Sequence, residues 1–451
     1  MSGENKEKTN TLRKENDKQS TPDYGCVPST FWYRFFGSSI VLNACRLIFG
    51  IKIRTDKEVR DMPGPMVVVG NHPSYIDPII MGTLLYGRRI NFVAGEFLFR
   101  KKIFGPIITK GGCIPKTQYR NDIRAVKAMM RVMKRGGTLG IFPEATRLID
   151  GSSIRFDSAL ASLVKKSEAA LVFMRSHGAY LNMPRWGQSA FRRGRITAEI
   201  AKVIPSDQIR EMSVEEIHQA MLDTLKFNEY DYFKEHKQVF HSRKPAAGVE
   251  NIANICPRCE GINTTFVPKD RRKKNLLVCR SCGNKVLLND RGFFEPCGAE
   301  DKCFPDLHEW NLWEKKIYAD MIEKPDFCLT EKVELHKECG EHDYAKVGEG
   351  LLTIRDGIIT YEGTECEPSE GLICRKGKVI REHRNRDLSK VGKQVTKTFP
   401  IKNMKGILLD FGLFMEIYGS DSTVNRIVPE NTQRIYEIYS IFCAYREKFR
   451  E

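Results

Sequence analysis

The run Met66-Val67-Val68-Val69 stops at Gly70, and the next eight residues, Asn71-His72-Pro73-Ser74-Tyr75-Ile76-Asp77-Pro78, contain two prolines. An interior proline removes a backbone donor and collides with the preceding helical turn, which argues against a long regular helix across this segment. The chain is therefore expected to turn at the strand end, where folds tend to display functional side chains. The pattern recurs. Thr138 to Phe142 reads as a strand that stops at Pro143, Leu171 to Met174 and Ile196 to Val203 read as further strands, and Ile123 to Lys134 has helical spacing. Such alternation between Ile51 and about Pro205 predicts an α/β domain, a mixed sheet flanked by helices. Val214 to Phe233 reads as one further amphipathic helix, and His241 to Gly248 as a linker.

Three segments of this region carry chemistry. The His72 imidazole can take a proton from an alcohol while Asp77, five residues on, fixes its tautomer and stabilises the imidazolium. That is the base-and-orienter half of a triad without an enzymic nucleophile. Ser74 is an unconvincing nucleophile, because the chain has no Gly-x-Ser-x-Gly elbow. The second segment is Phe142-Pro143-Glu144-Ala145-Thr146-Arg147, in which Arg147 offers a planar, permanently charged fork suited to phosphate. Between them, Gly111-Gly112-Cys113-Ile114-Pro115-Lys116-Thr117-Gln118-Tyr119-Arg120 joins glycines that allow close backbone approach to the cations Lys116 and Arg120. Taken singly, His-x4-Asp is a common coincidence, a Glu/Arg pair usually sits on a surface, and the two cations read equally well as solvated charge. Together, in this order and two of them after strand ends, the blocks indicate a site.

These three blocks resemble the glycerolipid acyltransferase family, whose hallmarks are an Asn-His-x4-Asp box, a Gly-rich middle block and a Phe-Pro-Glu-Gly-Thr-Arg box. The resemblance covers roughly residues 30 to 240. It implies that His72 deprotonates the free hydroxyl of a lysophospholipid, 1-acylglycerol-3-phosphate foremost, which attacks an acyl thioester of coenzyme A or acyl carrier protein. Asp77 would orient His72, and Glu144 and Arg147 would belong to the acceptor site, with Arg147 on the phosphate. Ala145 departs from the family's usual glycine, and a positive φ there would be strained. The alternative is an inactive lipid- or nucleic-acid-binding adaptor on an acyltransferase fold, against which the retention of all four residues argues.

At 451 residues the chain exceeds one ordinary core, and 73 Lys+Arg against 57 Asp+Glu give a net charge of +16, a bias toward anionic partners. With the acyltransferase-like blocks, a membrane surface is the expected partner and nucleic acid is disfavoured. No run of about 20 apolar residues exists to span a bilayer. Phe31 to Ile51, with its leading aromatics and flanking arginines, suits a helix lying in the headgroup region. The expected location is the cytoplasmic face of a membrane, peripheral or monotopic. Residues 1–28 read as a disordered tail and 29–245 as the acyltransferase domain.

Residues 250–325 contain Cys256-x2-Cys259 and Cys279-x2-Cys282, two knuckles that can close a tetrahedral site around Zn²⁺. With four sulfur ligands the metal has no open position, so the expected role is structural. Cys297, Cys303, Cys328 and Cys339 lack that spacing and are expected to pack as small hydrophobes. The basic run Lys269 to Lys274 lies inside this ribbon, and a connecting helix follows at Asp306 to Ile322. Residues 330–451 turn to β character, with Asp356-Gly357 between alternating apolar runs as a hairpin signal. Several strands and a helix from about Asn431 resemble a pleckstrin-homology or GRAM-type barrel, with Arg375 to Arg386 as a candidate lipid-facing loop.

Overall fold

A computed structural model describes residues 24–28, 31, 41–119, 122–188, 191–270, 274–339, 343–375, 378–379, 392–421 and 423–450. The first sheet is built from β1 (Met66–Gly70), β2 (Asn91–Gly95), β3 (Ile114–Lys116), β4 (Thr138–Ile141), β5 (Ala170–His177) and β6 (Thr197–Ile204), in the order β3-β2-β4-β1-β5-β6. Its strands are parallel except β6, which runs antiparallel to β5. β1 lies at the centre with all five residues buried, as expected of a parallel strand covered on both faces. Helix Ile123–Lys134 shows how the cover forms. The Asp122 side chain caps it by accepting from the Ala125 N–H at 3.0 Å, and Ala125, Ala128, Met129, Val132 and Met133 make its buried stripe.

Because β1 and β4 are parallel neighbours, with Val69 opposite Ile141, their carboxyl ends open at the same edge of the sheet. The two boxes leave from those ends side by side. This is the position where open α/β sheets receive ligands.

A second sheet of β7 (Thr265–Phe266), β8 (Leu276–Cys279), β9 (Lys285–Leu288) and β10 (Phe294–Pro296) is a small antiparallel unit. Helix Leu307–Ile322, capped by Asp306, leads out of it. The third sheet holds β11 (Leu329–Cys339), β12 (Asp343–Arg355), β13 (Ile358–Glu365), β14 (Leu372–Arg375), β15 (Lys378–Val379), β16 (Lys393–Pro400), β17 (Gly406–Asp410), β18 (Phe414–Tyr418) and β19 (Val424–Pro429). All its pairings are antiparallel. Asp356 and Gly357 turn the β12–β13 hairpin with φ of 50° and 73°, as the Asp-Gly signal implies. Among the described residues β17 pairs only with β18, so hydrogen bonds do not close this sheet into a barrel. Helix Arg434–Lys448 packs onto it through Ile435, Ile438, Ile441, Phe442 and Tyr445.

Several expectations change. The segment 214–233 is two helices, Val214–Leu225 and Glu229–Glu235, because Asn228 is extended and its side chain caps a new start at Tyr230 N–H. The supposed linker is a packed seam, in which Pro245, Ala246 and Gly248 are buried, Ala246 N–H donates to Lys274 O at 3.1 Å and Arg192 donates to Pro245 O. Residues 24–28 are no free tail, since Tyr24 O accepts from Arg131 at 2.9 Å and Cys26 O from Asn91 at 2.9 Å. Cys297 and Cys328 are exposed rather than packed.

Of the segment Phe31 to Ile51, expected to lie in a headgroup region, helix Val41–Phe49 is described, with Leu47 and Ile48 exposed; residues 32–40 lie outside the described residues, as do residues 1–23, 271–273 of the ribbon's basic run and most of the 375–386 loop. No described helix is long and apolar enough to cross a membrane. One continuous cluster of buried side chains runs from Leu148, Tyr180 and Trp186 through Ile255, Leu277 and Trp310 to Leu352, Ile417 and Ile441. The second and third sheets share that core, which reaches the first sheet's side through the loops after β4 and β5 and helix Glu229–Glu235; the strands of the first sheet pack in two further clusters, around Val67, Leu139 and Phe173 on one face and Val68, Ile80 and Val172 on the other.

Candidate active site and metal centre

At the end of β1 the chain turns as the prolines require, and most of its polar groups are tied to one another, Asn71 Oδ1, Ser74 Oγ and Asp77 Oδ1 being buried without a hydrogen-bond partner among the described residues. His72 Nδ1 lies 2.7 Å from Asp77 Oδ2, and the same oxygen accepts the Ser74 N–H at 2.9 Å. Asp77 is the first residue of helix Asp77–Leu84 and is fully buried, whereas the His72 side chain keeps 23% exposure. Burial raises the Asp77 carboxyl above its usual range, opposed by the His72 and Ser74 hydrogen bonds. A carboxylate against Nδ1 holds the proton on that nitrogen, which leaves Nε2 as the basic one. Phe142, leaving β4, stacks on the imidazole at 4.7 Å and 18°. Ser74 is buried and unavailable as a nucleophile.

Glu144 is turned inward. One carboxylate oxygen accepts the His72 N–H at 3.1 Å, and the other accepts from Ile154 N–H at 3.3 Å and the Asn71 amide at 3.5 Å. Leu148 N–H returns a bond to His72 O at 3.0 Å. The second box is thus laced to the first through the backbone of His72, and Glu144, expected to face the acceptor, instead holds the turn. Burial pushes its carboxyl up to about 8. Ala145 sits at φ 57°, the left-handed conformation that glycine would adopt without strain, and its carbonyl accepts from Gln118 at 2.8 Å.

Arg147 lies with its guanidinium 3.4 Å above the ring of Tyr75, a residue of the first box. Burial brings Arg147 down to about 10, and it remains a cation at neutral pH. Lys116 is exposed at the end of β3, and Arg120 lies outside the described residues. The structure therefore brings His72, Asp77, Glu144 and Arg147 to one sheet edge. Three participants had no assignment in the sequence. Phe142 and Tyr75 lie inside the boxes, where their rings were the available signal. Glu229, fully buried and accepting Gly178 N–H at 2.6 Å close enough to Asp77 for their charges to interact, gave none.

The four cysteines Cys256, Cys259, Cys279 and Cys282 come together with every sulfur within 4.8 Å of the others. The Cys256–Cys282 and Cys259–Cys279 sulfurs are 3.6 and 3.7 Å apart, and none is in a disulfide. A tetrahedron with ~2.3 Å metal–sulfur bonds has edges of about 3.8 Å, so the four thiols fit such an ion. Gly283, at φ 72°, makes the turn after the second knuckle, where its N–H donates to Cys279 O at 3.1 Å.

Residues 51–175 match the acyltransferase family. The chain is similar to the chloroplastic 1-acyl-sn-glycerol-3-phosphate acyltransferase of Arabidopsis thaliana, at 28% identity over 142 residues, 31% of this chain and 39% of that one. It is also similar to the 1-acyl-sn-glycerol-3-phosphate acyltransferase of Bacillus subtilis (strain 168), at 22% identity over 187 residues, 41% of this chain and 90% of that one. Among solved structures, the 1-acyl-sn-glycerophosphate acyltransferase of Thermotoga maritima aligns with a TM-score of 0.34 and 21% identity, covering 44% of this chain and 80% of that one. The match thus spans 39% of the Arabidopsis relative's length but most of the bacterial one.

Proposed function

We propose, from the match of residues 51–175 to the acyltransferase family, that the chain moves a fatty acyl group from a thioester, coenzyme A or acyl carrier protein, to the free hydroxyl of a lysophospholipid. The leading acceptor is 1-acylglycerol-3-phosphate, the substrate in its relatives' names, and the product would be phosphatidate. The observation that carries this reading is the 2.7 Å bond between His72 Nδ1 and a buried Asp77, with the other ring nitrogen left to act. Nε2 takes the proton as the acceptor oxygen attacks the thioester carbonyl. The tetrahedral intermediate then collapses, the carbon–sulfur bond breaks, and the proton passes from the imidazolium to the departing thiolate. Arg147, steadied on Tyr75, holds the acceptor's phosphate, and Lys116 adds positive charge at the end of β3; Arg120 is kept as an acceptor-site cation on its place in the sequence alone. Glu144 supports the turn that carries His72.

The four cysteines would hold a structural Zn²⁺, which supplies a rigid cross-link and no open coordination position. The third sheet and its helix read as a pleckstrin-homology or GRAM-like unit, on the pattern of antiparallel strands followed by one packed helix. The working surface would be the cytoplasmic face of a membrane, approached by the exposed Leu47 and Ile48. The test is purified protein with labelled acyl thioesters of both kinds and a panel of lysophospholipids, scored for diacyl product. Formation of diacyl lipid by the unaltered chain supports the reading. Binding of anionic vesicles without product from any pairing refutes it.

A further inference from the structure

Arg185, in the loop between β5 and β6, is 38 residues from Arg147 in sequence but bonded to its turn in space. Its Nη1 donates to Thr146 Oγ1 at 2.8 Å and to Arg147 O at 3.4 Å, and its Nη2 donates to Leu409 O of β17 at 2.6 Å. The guanidinium also lies 5.4 Å from the Phe411 ring at the β17–β18 turn. One planar fork thus joins the Phe-Pro-Glu-Ala-Thr-Arg turn to the third sheet. A second tie stands beside it. Ile407 and Leu409 of β17 point into the core, so Gly406, Leu408 and Asp410 occupy the opposite face. Tyr119, from the Gly-rich block and at φ 53°, packs its ring on Gly406 and lies 5.0 Å from the Tyr418 ring. Gln118, next to it, holds Ala145 O. Two of the three sequence blocks are therefore fastened to the same hairpin of a sheet that lies more than 200 residues further along the chain.

We propose that Arg185 is a positioning residue for the acceptor's phosphate, and that the β17–β18 hairpin is the anchor that sets it. The inference rests on the reading above that Arg147 holds that phosphate. Arg147 reaches its place from a strained turn, and a turn with Ala145 at positive φ keeps its form only when surrounding bonds over-determine it. Arg185 supplies the bonds to Thr146 and Arg147, and the hairpin keeps Arg185 in line. The third sheet is then part of the acceptor site, and acceptor binding responds to changes made in a strand that touches no substrate.

The experiment uses the full chain with lysophosphatidate as acceptor and palmitoyl-coenzyme A as donor. Arg185→Ala is expected to raise the acceptor KM about tenfold, the effect of losing charged hydrogen bonds, with kcat and the donor KM little changed. Arg185→Lys keeps the charge without the fork and is expected to match alanine. Gly406→Val, whose β-carbon would stand inside contact distance of the Tyr119 ring, should shift the acceptor KM in the same direction from a site remote from Arg185. A purely structural role would lower the amount of active protein and leave KM alone, and that result overturns the proposal. Restoration of the normal KM by lysine also overturns it, because charge and not positioning would be at work. If the unaltered chain does not turn over lysophosphatidate, the underlying reading of the site fails and takes this one with it. If it does, and the variants bind acceptor normally, only this inference falls.

Discussion

The turn at the end of β1 and the cysteine cluster are both small polar sites, but they are held in opposite ways. At the turn, His72, Asp77, Glu144 and Leu148 are tied by protein hydrogen bonds of 2.7 to 3.1 Å, so the geometry stands without a ligand. At the cysteines, the sulfurs converge from two knuckles on a sheet whose strands are two to four residues long. Leu277, Val286, Leu288 and Phe294 tie this sheet into the large core, but the four cysteines are not part of that packing, and a bound ion is what would fix their sulfurs in place. A site built by its fold should tolerate loss of its reacting group. A site built around an ion should not tolerate loss of the ion.

The largest expected effect tests the second half of that contrast. Structural zinc contributes ~10 kcal/mol or more to small isolated units. Chelation, or Cys279→Ser, should therefore lower the melting temperature more than any other change named here, read by calorimetry alongside metal content. A protein that contains no metal and melts unchanged with chelator would end the comparison. The first half is tested by His72→Ala, expected to reduce turnover by ~10²–10⁴ while melting temperature and metal content stay put. Next, Arg147→Ala should raise the acceptor KM by about tenfold or more and spare the donor KM; equal changes in both would count against a phosphate role.

A smaller effect concerns pH. Burial holds Glu229 and Glu144 up to about 8, against an ordinary 4.5. Between those values the folded state binds more protons than the unfolded one, so this contribution to stability is complete below about 4.5 and fades as pH rises through about 8. Glu229→Gln should flatten that decline in melting temperatures taken across the window, and an unchanged slope would show that Glu229 does not titrate there. The smallest effect is Ala145→Gly. It removes the positive-φ strain and is expected to stabilise by ~1 kcal/mol with turnover kept, measured by denaturant unfolding.

The parts of the site legible in the sequence are those whose partners are close along the chain. His72 and Asp77 are five residues apart on a turn forced by prolines, and each cysteine knuckle spans four residues, so spacing alone carries the geometry. Glu144 was misplaced because its direction depends on β1 and β4 being parallel neighbours, a pairing across 72 residues. Arg185 carried no local signal at all, since its partners lie 38, 39 and 224 residues away. The alternation of strands and helices announced the first sheet, and Asp356-Gly357 announced one hairpin of the third. The break at Asn228 was hidden by apolar residues that continue on both sides of it, and the seam at 241–248 by the largely exposed polar run His241 to Lys244, which masks the buried Pro245, Ala246 and Gly248 that follow it.

The unbroken apolar interior that passes from Leu148 to Ile441 bears on how such a chain can be taken apart. Cutting it near residue 245, where composition invites a boundary, would leave Trp186, Tyr230 and Phe240 facing water on one fragment and Trp310 on the other. Fragments of that kind are prone to aggregate. The small sheet and the large antiparallel one entered this molecule as separable pieces of sequence, yet their apolar side chains and those of the loops after β4 and β5 now fill one interior, whose ends cannot be traded freely.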